Sequence, residues 1–167
     1  QYPAFFEVKR RINRVILKSR ARVRHEDIPL LLRGHQLPKQ DFHTDLNGLS
    51  QFQLYAQTIK AGPLALVRYL RKAYEGGSHN RVRVTFDREL CYKVTDRPEV
   101  TLGGSGWQIN HFSIKGVILE IKFTGTYPIW LSRMAACFGL EARGISKYAS
   151  SVIQSSTLGY CAPTIGP

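Results

Sequence analysis

Cysteine is scarce in this chain: Cys91, Cys137 and Cys161 are the only three in 167 residues, and no two form a C-x-x-C pair. That spacing indicates neither a zinc site nor a disulfide framework, and it suits a reducing compartment. No stretch approaches the roughly 18 uninterrupted apolar residues of a membrane span, and nothing reads as a charged-then-apolar leader. The chain itself is therefore expected to be soluble and its setting cytoplasmic. The histidines, His25, His35, His43, His79 and His111, show no ligand spacing such as H-E-x-x-H, and no Ser or Cys sits in a recognisable nucleophile setting. Gly103-Gly104-Ser105-Gly106 lacks the Gly-Lys-Ser/Thr frame of a nucleotide loop and reads as a turn between strands. Acidic residues are also few, 12 Asp plus Glu against 24 Lys plus Arg, which leaves a net charge of +12. Such a balance favours a polyanionic partner and leaves nucleic acid, anionic lipid and inorganic phosphates open.

What the chain does have is basic side chains at every second position of three strand-like stretches. These are Phe5-Phe6-Glu7-Val8-Lys9-Arg10-Arg11, Arg14-Val15-Ile16-Leu17-Lys18-Ser19-Arg20-Ala21-Arg22 and Arg81-Val82-Arg83-Val84-Thr85-Phe86-Asp87. A strand sends successive side chains to opposite faces, so Lys9 with Arg11, Lys18 with Arg20 and Arg22, and Arg81 with Arg83 each line one face. An ordinary solvated sheet face carries the same pattern, but a fourth stretch adds carboxylates. Val117-Ile118-Leu119-Glu120-Ile121-Lys122-Phe123 places Glu120 and Lys122 together, and Glu7 with Lys9 repeats that spacing. Carboxylates among cations suit a site for a hard metal ion and the phosphates it bridges, although Glu120 and Lys122 also read as a plain ion-pair set across strands.

The length fits one domain with a real core. His25 through Arg33, with Pro29 early and Gly34 after it, reads as a short helix, and Asp45 through Ile59 carries apolar residues at helical spacing. Leu64 to Tyr74 fits either period, but the turn cluster from Glu75 to Asn80 makes a hairpin with the Arg81 strand the simpler reading. Pro128 stands where a first-turn proline is tolerated, and Ile129, Trp130, Met134 and Phe138 follow at helical spacing and read as core packing. Ser146 is the N-cap candidate of a last helix, and residues 155–167, rich in Ser, Thr, Gly and Pro, read as a loosely ordered tail. The chain opens at Gln1 with its first strand close behind, so preceding strands are expected to be missing from it.

Four segments together resemble the polyphosphate polymerase (VTC) domain, a member of the triphosphate tunnel or CYTH-like superfamily. They are Phe6-Glu7-Val8-Lys9 with Leu17-Lys18-Ser19-Arg20; Tyr69-Leu70-Arg71-Lys72-Ala73-Tyr74 leading into Arg81 through Leu90; Val117 through Lys122 with Pro128 and Trp130; and Ile145-Ser146-Lys147-Tyr148. The resemblance implies an α+β fold in which an antiparallel β-barrel, flanked by helices, encloses a basic tunnel, over residues 1–154. It implies a phosphotransferase that moves the terminal phosphoryl of ATP onto inorganic polyphosphate with Mn²⁺ or Mg²⁺. Carried over by position, Lys9 and Lys18 match tunnel lysines, Arg71 and Arg83 match tunnel arginines with Tyr69 beside them, and Ser146 with Lys147 match the pair at a tunnel mouth. Arg20 and Lys122 share the faces of these cations and join the phosphate-binding set, while Glu120 matches the metal-binding glutamate. The residues expected to act in transfer are Lys9, Arg71, Arg83 and Lys147. A membrane-protein partner is implied by the resemblance alone.

Each of these also has a plainer reading: Tyr69 as core, and Ser146 as a helix cap, although a helix N-terminus is itself an anion site. Two other functions stay open, a tripolyphosphate hydrolase on the same tunnel and a module that only binds polyphosphate or nucleic acid. Specific nucleic-acid binding is not expected, because Phe5, Phe6, Phe86 and Phe123 sit among apolar strand positions and read as core rather than as stacking platforms.

Overall fold

The computed structural model describes residues 3–13, 15–36, 45–76, 81–111 and 116–160. It is a mixed α+β structure of antiparallel sheets and helices that divides into two units, Gln1–Pro63 and Leu64–Pro167. No closed barrel is found among the described residues: one sheet has two strands and the other four.

The first unit is a hairpin covered on one face by helices. Strands β1 (Ala4–Ile12) and β2 (Val15–Val23) pair with Lys9 opposite Lys18 and Glu7 opposite Arg20. Ile12 pairs with Val15, and Asn13 between them takes a φ of 54°, the left-handed conformation that a two-residue hairpin connection requires. Arg14 lies outside the described residues. The apolar parity, Phe6, Ala21 and Val23, is buried against Leu31 and Leu49. Leu31 comes from α1 (Ile28–Leu32), which continues a single 3₁₀ turn at His25–Asp27, and Leu49 from α2 (Leu46–Thr58). The Asp45 side chain caps α2 by accepting from the Gly48 N–H at 3.0 Å. The Phe6 and Phe52 rings stack at 4.3 Å. Gly48 allows the close seat of α2 on the hairpin, since a Cβ there would stand 2.9 Å from the Arg20 carbonyl oxygen.

In the second unit β3 (Ala65–Gly76) and β4 (Val82–Val94) form a long antiparallel pair, as the hairpin reading expects, with residues 77–80 of the turn cluster outside the described residues. β6 (Ile118–Phe123) pairs with the first half of β4, and the short β5 (Gln108–Ile109) pairs with its second half. Where Arg68 pairs with Cys91 and Leu70 with Arg88, two β4 residues, Glu89 and Leu90, oppose Tyr69 alone. This bulge puts Glu89 at a φ of 56°. It also shifts the alternation by one, so Thr85 and Asp87 are buried before it and Leu90 and Tyr92 after it. α3 (Ile129–Cys137) follows Pro128, and α4 (Lys147–Thr157) packs on β3 and β4.

Three packing expectations change. α3 buries only Leu131, while Ile129 and Phe138 are more than 70% exposed, so it is not a core helix of the described unit. Of the four phenylalanines read as core only Phe6 is buried; Phe86 and Phe123 lie on the sheet face opposite the buried Asp87, each 38% exposed, in edge-to-face contact with Tyr74 and Tyr127. Residues 155–157, read as the start of a loose tail, belong to α4, which runs through Thr157 with Ser155 fully buried; residues 161–167 lie outside the described residues. Ser150, Ser151 and Ser155 are small enough to seat α4 against its unit, and their hydroxyls are satisfied by donating back to helix carbonyls.

Candidate functional site

In the first unit strand parity gathers Lys9, Lys18 and Arg20 on one face, and the register sets Glu7 among them. The Glu7 carboxylate lies 3.1 Å from Lys9 Nζ, 2.8 Å from Lys18 Nζ and 3.9 Å from Arg20 Nε. Burial works to raise the Glu7 carboxyl, but hydrogen bonds from Lys18 and Lys9 and their charge outweigh it and hold the group below its ordinary range. The Arg20 guanidinium also lies over the Phe5 ring at 3.5 Å, so Phe5 serves as a platform for a cation.

In the second unit pairing brings Arg71 of β3 opposite Asp87 of β4, and Thr85 of β4 opposite Glu120 of β6. Alternation then lines Arg71, Asp87, Glu120, Arg83 and Lys122 along one face. Asp87 is the centre of this group, with its side chain only 1% exposed. Arg71 grips it in fork geometry, Nε to Oδ1 at 2.6 Å and Nη2 to Oδ2 at 2.7 Å. Lys147, from the first turn of α4, adds Nζ at 2.8 Å from Oδ2. The Arg71 hydrogen bonds are the main cause that holds the Asp87 carboxyl below its usual range; burial opposes them and Lys147 assists. The same bonds push the Arg71 guanidinium upward, so both members stay charged.

Tyr69 is not core. Its ring is half-exposed and lies 5.1 Å from both the Arg71 guanidinium carbon and Lys147 Nζ. Glu120 accepts from Lys122 at 3.1 Å and from Arg71 Nη2 at 3.5 Å. Burial raises its carboxyl, but Lys122 first, then Lys147 and Arg71, bring it below the ordinary value. Tyr69, Arg71, Lys147, Glu120 and Lys122 thus belong to one connected group. Arg83 shares the face but sits farther along β4 from Asp87, roughly 13 Å at strand rise, and pairs with Glu75 at 3.4 Å. Ser146 is the N-cap of α4, its Oγ accepting from the Ala149 N–H at 3.2 Å. The aromatic groove lined by Tyr74, Val82, Val84, Pro128 and Trp130 opens on the opposite strand parity.

Sequence reasoning assigned no role to Asp87. A signal was present, since Arg83-x-Thr85-x-Asp87 sets an acid on the same face as the basic residues, as Glu7 does in the first hairpin. No helix among the described residues is long and apolar enough to cross a membrane.

This arrangement holds several cations in place around buried or half-buried carboxylates, and Lys and Arg so placed are able to donate to the oxygens of an anion. No curated protein matches the chain closely enough to name a relative. A family model does: the VTC domain model matches residues 1–155, and thus takes in both carboxylate-centred clusters. The chain therefore belongs to the VTC domain family, which is associated with polyphosphate polymerase activity and gives it a polyphosphate-related function.

Proposed function

We propose that this chain is a polyphosphate polymerase-like phosphotransferase that moves the terminal phosphoryl group of ATP onto a growing polyphosphate chain. The observation that carries the reading is the cluster of Arg71, Lys147 and Tyr69 built on the buried Asp87. Phosphoryl transfer asks a protein mainly to position and to stabilise charge. The Arg71 guanidinium, forked onto Asp87, offers its remaining N–H donors to phosphate oxygens, Arg83 and Lys122 extend the cationic row along the same sheet face, and Lys147 supplies a compact charge. Lys9, Lys18 and Arg20 offer a second cationic face, and Ser146 opens a helix N-terminus that favours anions. The closed tunnel is part of this proposal.

The proposal includes a divalent cation, and the donor set limits its kind. Among the described residues no three His, Cys, Asp or Glu side chains gather. Glu120 is a single carboxylate, and its closest partner, Lys122, is largely exposed. One carboxylate fits Mg²⁺ or Mn²⁺, which take their remaining oxygens from water and phosphates. Such an ion supplies charge neutralisation between the attacking and leaving oxygens.

The test is thermal unfolding with tripolyphosphate and, separately, single-stranded DNA at matched phosphate concentration, each with and without Mn²⁺, on the wild-type chain and Glu120→Gln. A ligand at about a hundred times its dissociation constant adds roughly 2.7 kcal/mol. A large tripolyphosphate shift that survives moderate salt, with a Mn²⁺ increment lost in Glu120→Gln, is expected and leads to an assay of ATP conversion to polyphosphate. Equal shifts with both polyanions that vanish in salt would reduce the site to diffuse surface charge.

A further inference from the structure

A carboxylate at the centre of a site for phosphates opposes the ligand by charge, so its presence there needs a reason. Asp87 is almost wholly buried, and its two oxygens receive Arg71 Nε, Arg71 Nη2 and Lys147 Nζ within 2.8 Å. We propose that Asp87 is a positioning residue: it fixes the Arg71 guanidinium and the Lys147 ammonium against the Tyr69 ring before any ligand arrives, so that both present a pre-formed grip for phosphate oxygens. The inference rests on the reading that this face binds phosphates.

The geometry supports the role in three ways. A guanidinium has five N–H donors; the fork to Asp87 uses one on Nε and one on Nη2, and Nη2 also reaches Glu120 at 3.5 Å, which leaves both Nη1 hydrogens for a ligand. Lys147 has three donors and keeps two after meeting Asp87, while its position in the first turn of α4 and its low exposure restrict where it can point. The Tyr69 ring, at 5.1 Å from each cation, closes the side of the group. Long Arg and Lys side chains lose much rotamer freedom on gripping a ligand, and a carboxylate that holds them in advance removes that cost from binding.

Simple electrostatics and positioning predict opposite signs for one substitution. Asp87→Asn makes the face more positive by one charge, so diffuse attraction predicts tripolyphosphate affinity equal to or above that of the wild-type chain. Positioning predicts affinity lower by about ten- to hundredfold, the equivalent of one lost charge-assisted hydrogen bond. The measurement is calorimetric titration of the whole chain with tripolyphosphate, with circular dichroism to show that Asp87→Asn is folded. A second measurement needs no variant: hydrogen exchange of the Arg71 Nε–H in the ligand-free wild-type protein, compared with that of Arg143, an exposed arginine. Slow exchange at Arg71 is expected; exchange as fast as at Arg143 overturns the proposal even if Asp87→Asn does not fold. Wild-type binding with equal or higher affinity in Asp87→Asn overturns the positioning role alone. No binding by the wild-type chain overturns the phosphate reading and the role that depends on it.

Discussion

Replacing Arg71 by lysine keeps the charge and removes the fork, which separates geometry from electrostatics. Arg71 makes two short bonds to Asp87 and a longer one to Glu120. A lysine ammonium replaces at most one of the two bonds to Asp87, and with the carboxylate 1% exposed, water does not replace the other. Loss of one charge-assisted bond costs about 1.5–3 kcal/mol. Because the arginine itself is a third exposed, solvent screening moves the expectation to about 1–2 kcal/mol. At a urea dependence of about 1–3 kcal/mol per molar, the unfolding midpoint should fall by roughly 0.3 to 2 molar. The assay has a built-in reporter, because Trp107 and Trp130 are the only tryptophans and both belong to the second unit. Arg143→Lys is the control, since Arg143 and its partner Glu141 are both about three-quarters exposed; it should change stability by less than about 0.5 kcal/mol. A tryptophan transition that does not move in Arg71→Lys, or moves as little as the control, refutes the reasoning that the fork organises this face.

Gly48→Ala should loosen the first unit: a Cβ 2.9 Å from the Arg20 carbonyl oxygen forces α2 off the hairpin, and an overpacking cost of about 1–3 kcal/mol outweighs up to about 1 kcal/mol of helix propensity gained. Faster amide exchange in α2 would confirm it, and unchanged exchange would mean that the helix is not seated on β2. Acid should weaken both clusters, because Asp87, Glu120 and Glu7 all titrate below their ordinary values in the folded chain. Their contribution is complete above the unfolded carboxylate range, about pH 4, and is lost as pH falls through the lower folded values. Asp87→Asn should therefore flatten the acid limb of a tryptophan-monitored stability profile; an equally steep limb would show that Asp87 carries none of it.

Much of the local architecture was legible because it rests on nearest-neighbour rules. Alternating Lys and Arg fixed which side chains share a strand face, Asp45 and Ser146 marked helix starts, and the turn cluster from Glu75 marked the end of a strand to within two residues, β3 running on through Gly76. Less legible was what depends on register between distant strands. Arg71 meets Asp87 only because β3 and β4 pair in one particular alignment, and Lys147 joins them only because a serine-rich helix packs closely on these strands. The phenylalanines misled for a related reason. Alternation says which face a residue takes, not how fully that face is covered, and Phe86 and Phe123 lie where the cover is partial among the described residues.

The bulge at Glu89 makes β4 two rulers laid end to end with a half-step offset. Residues on either side of it keep their spacing within each ruler, but odd numbers face the charged group on one and even numbers face the core on the other. Point changes at Glu89 leave that phase alone. A change of length does not: losing a single residue between Arg88 and Leu90 would turn Leu90 and Tyr92 away from the face that holds Asp87, so the chain's tolerance here is set by counting rather than by chemistry.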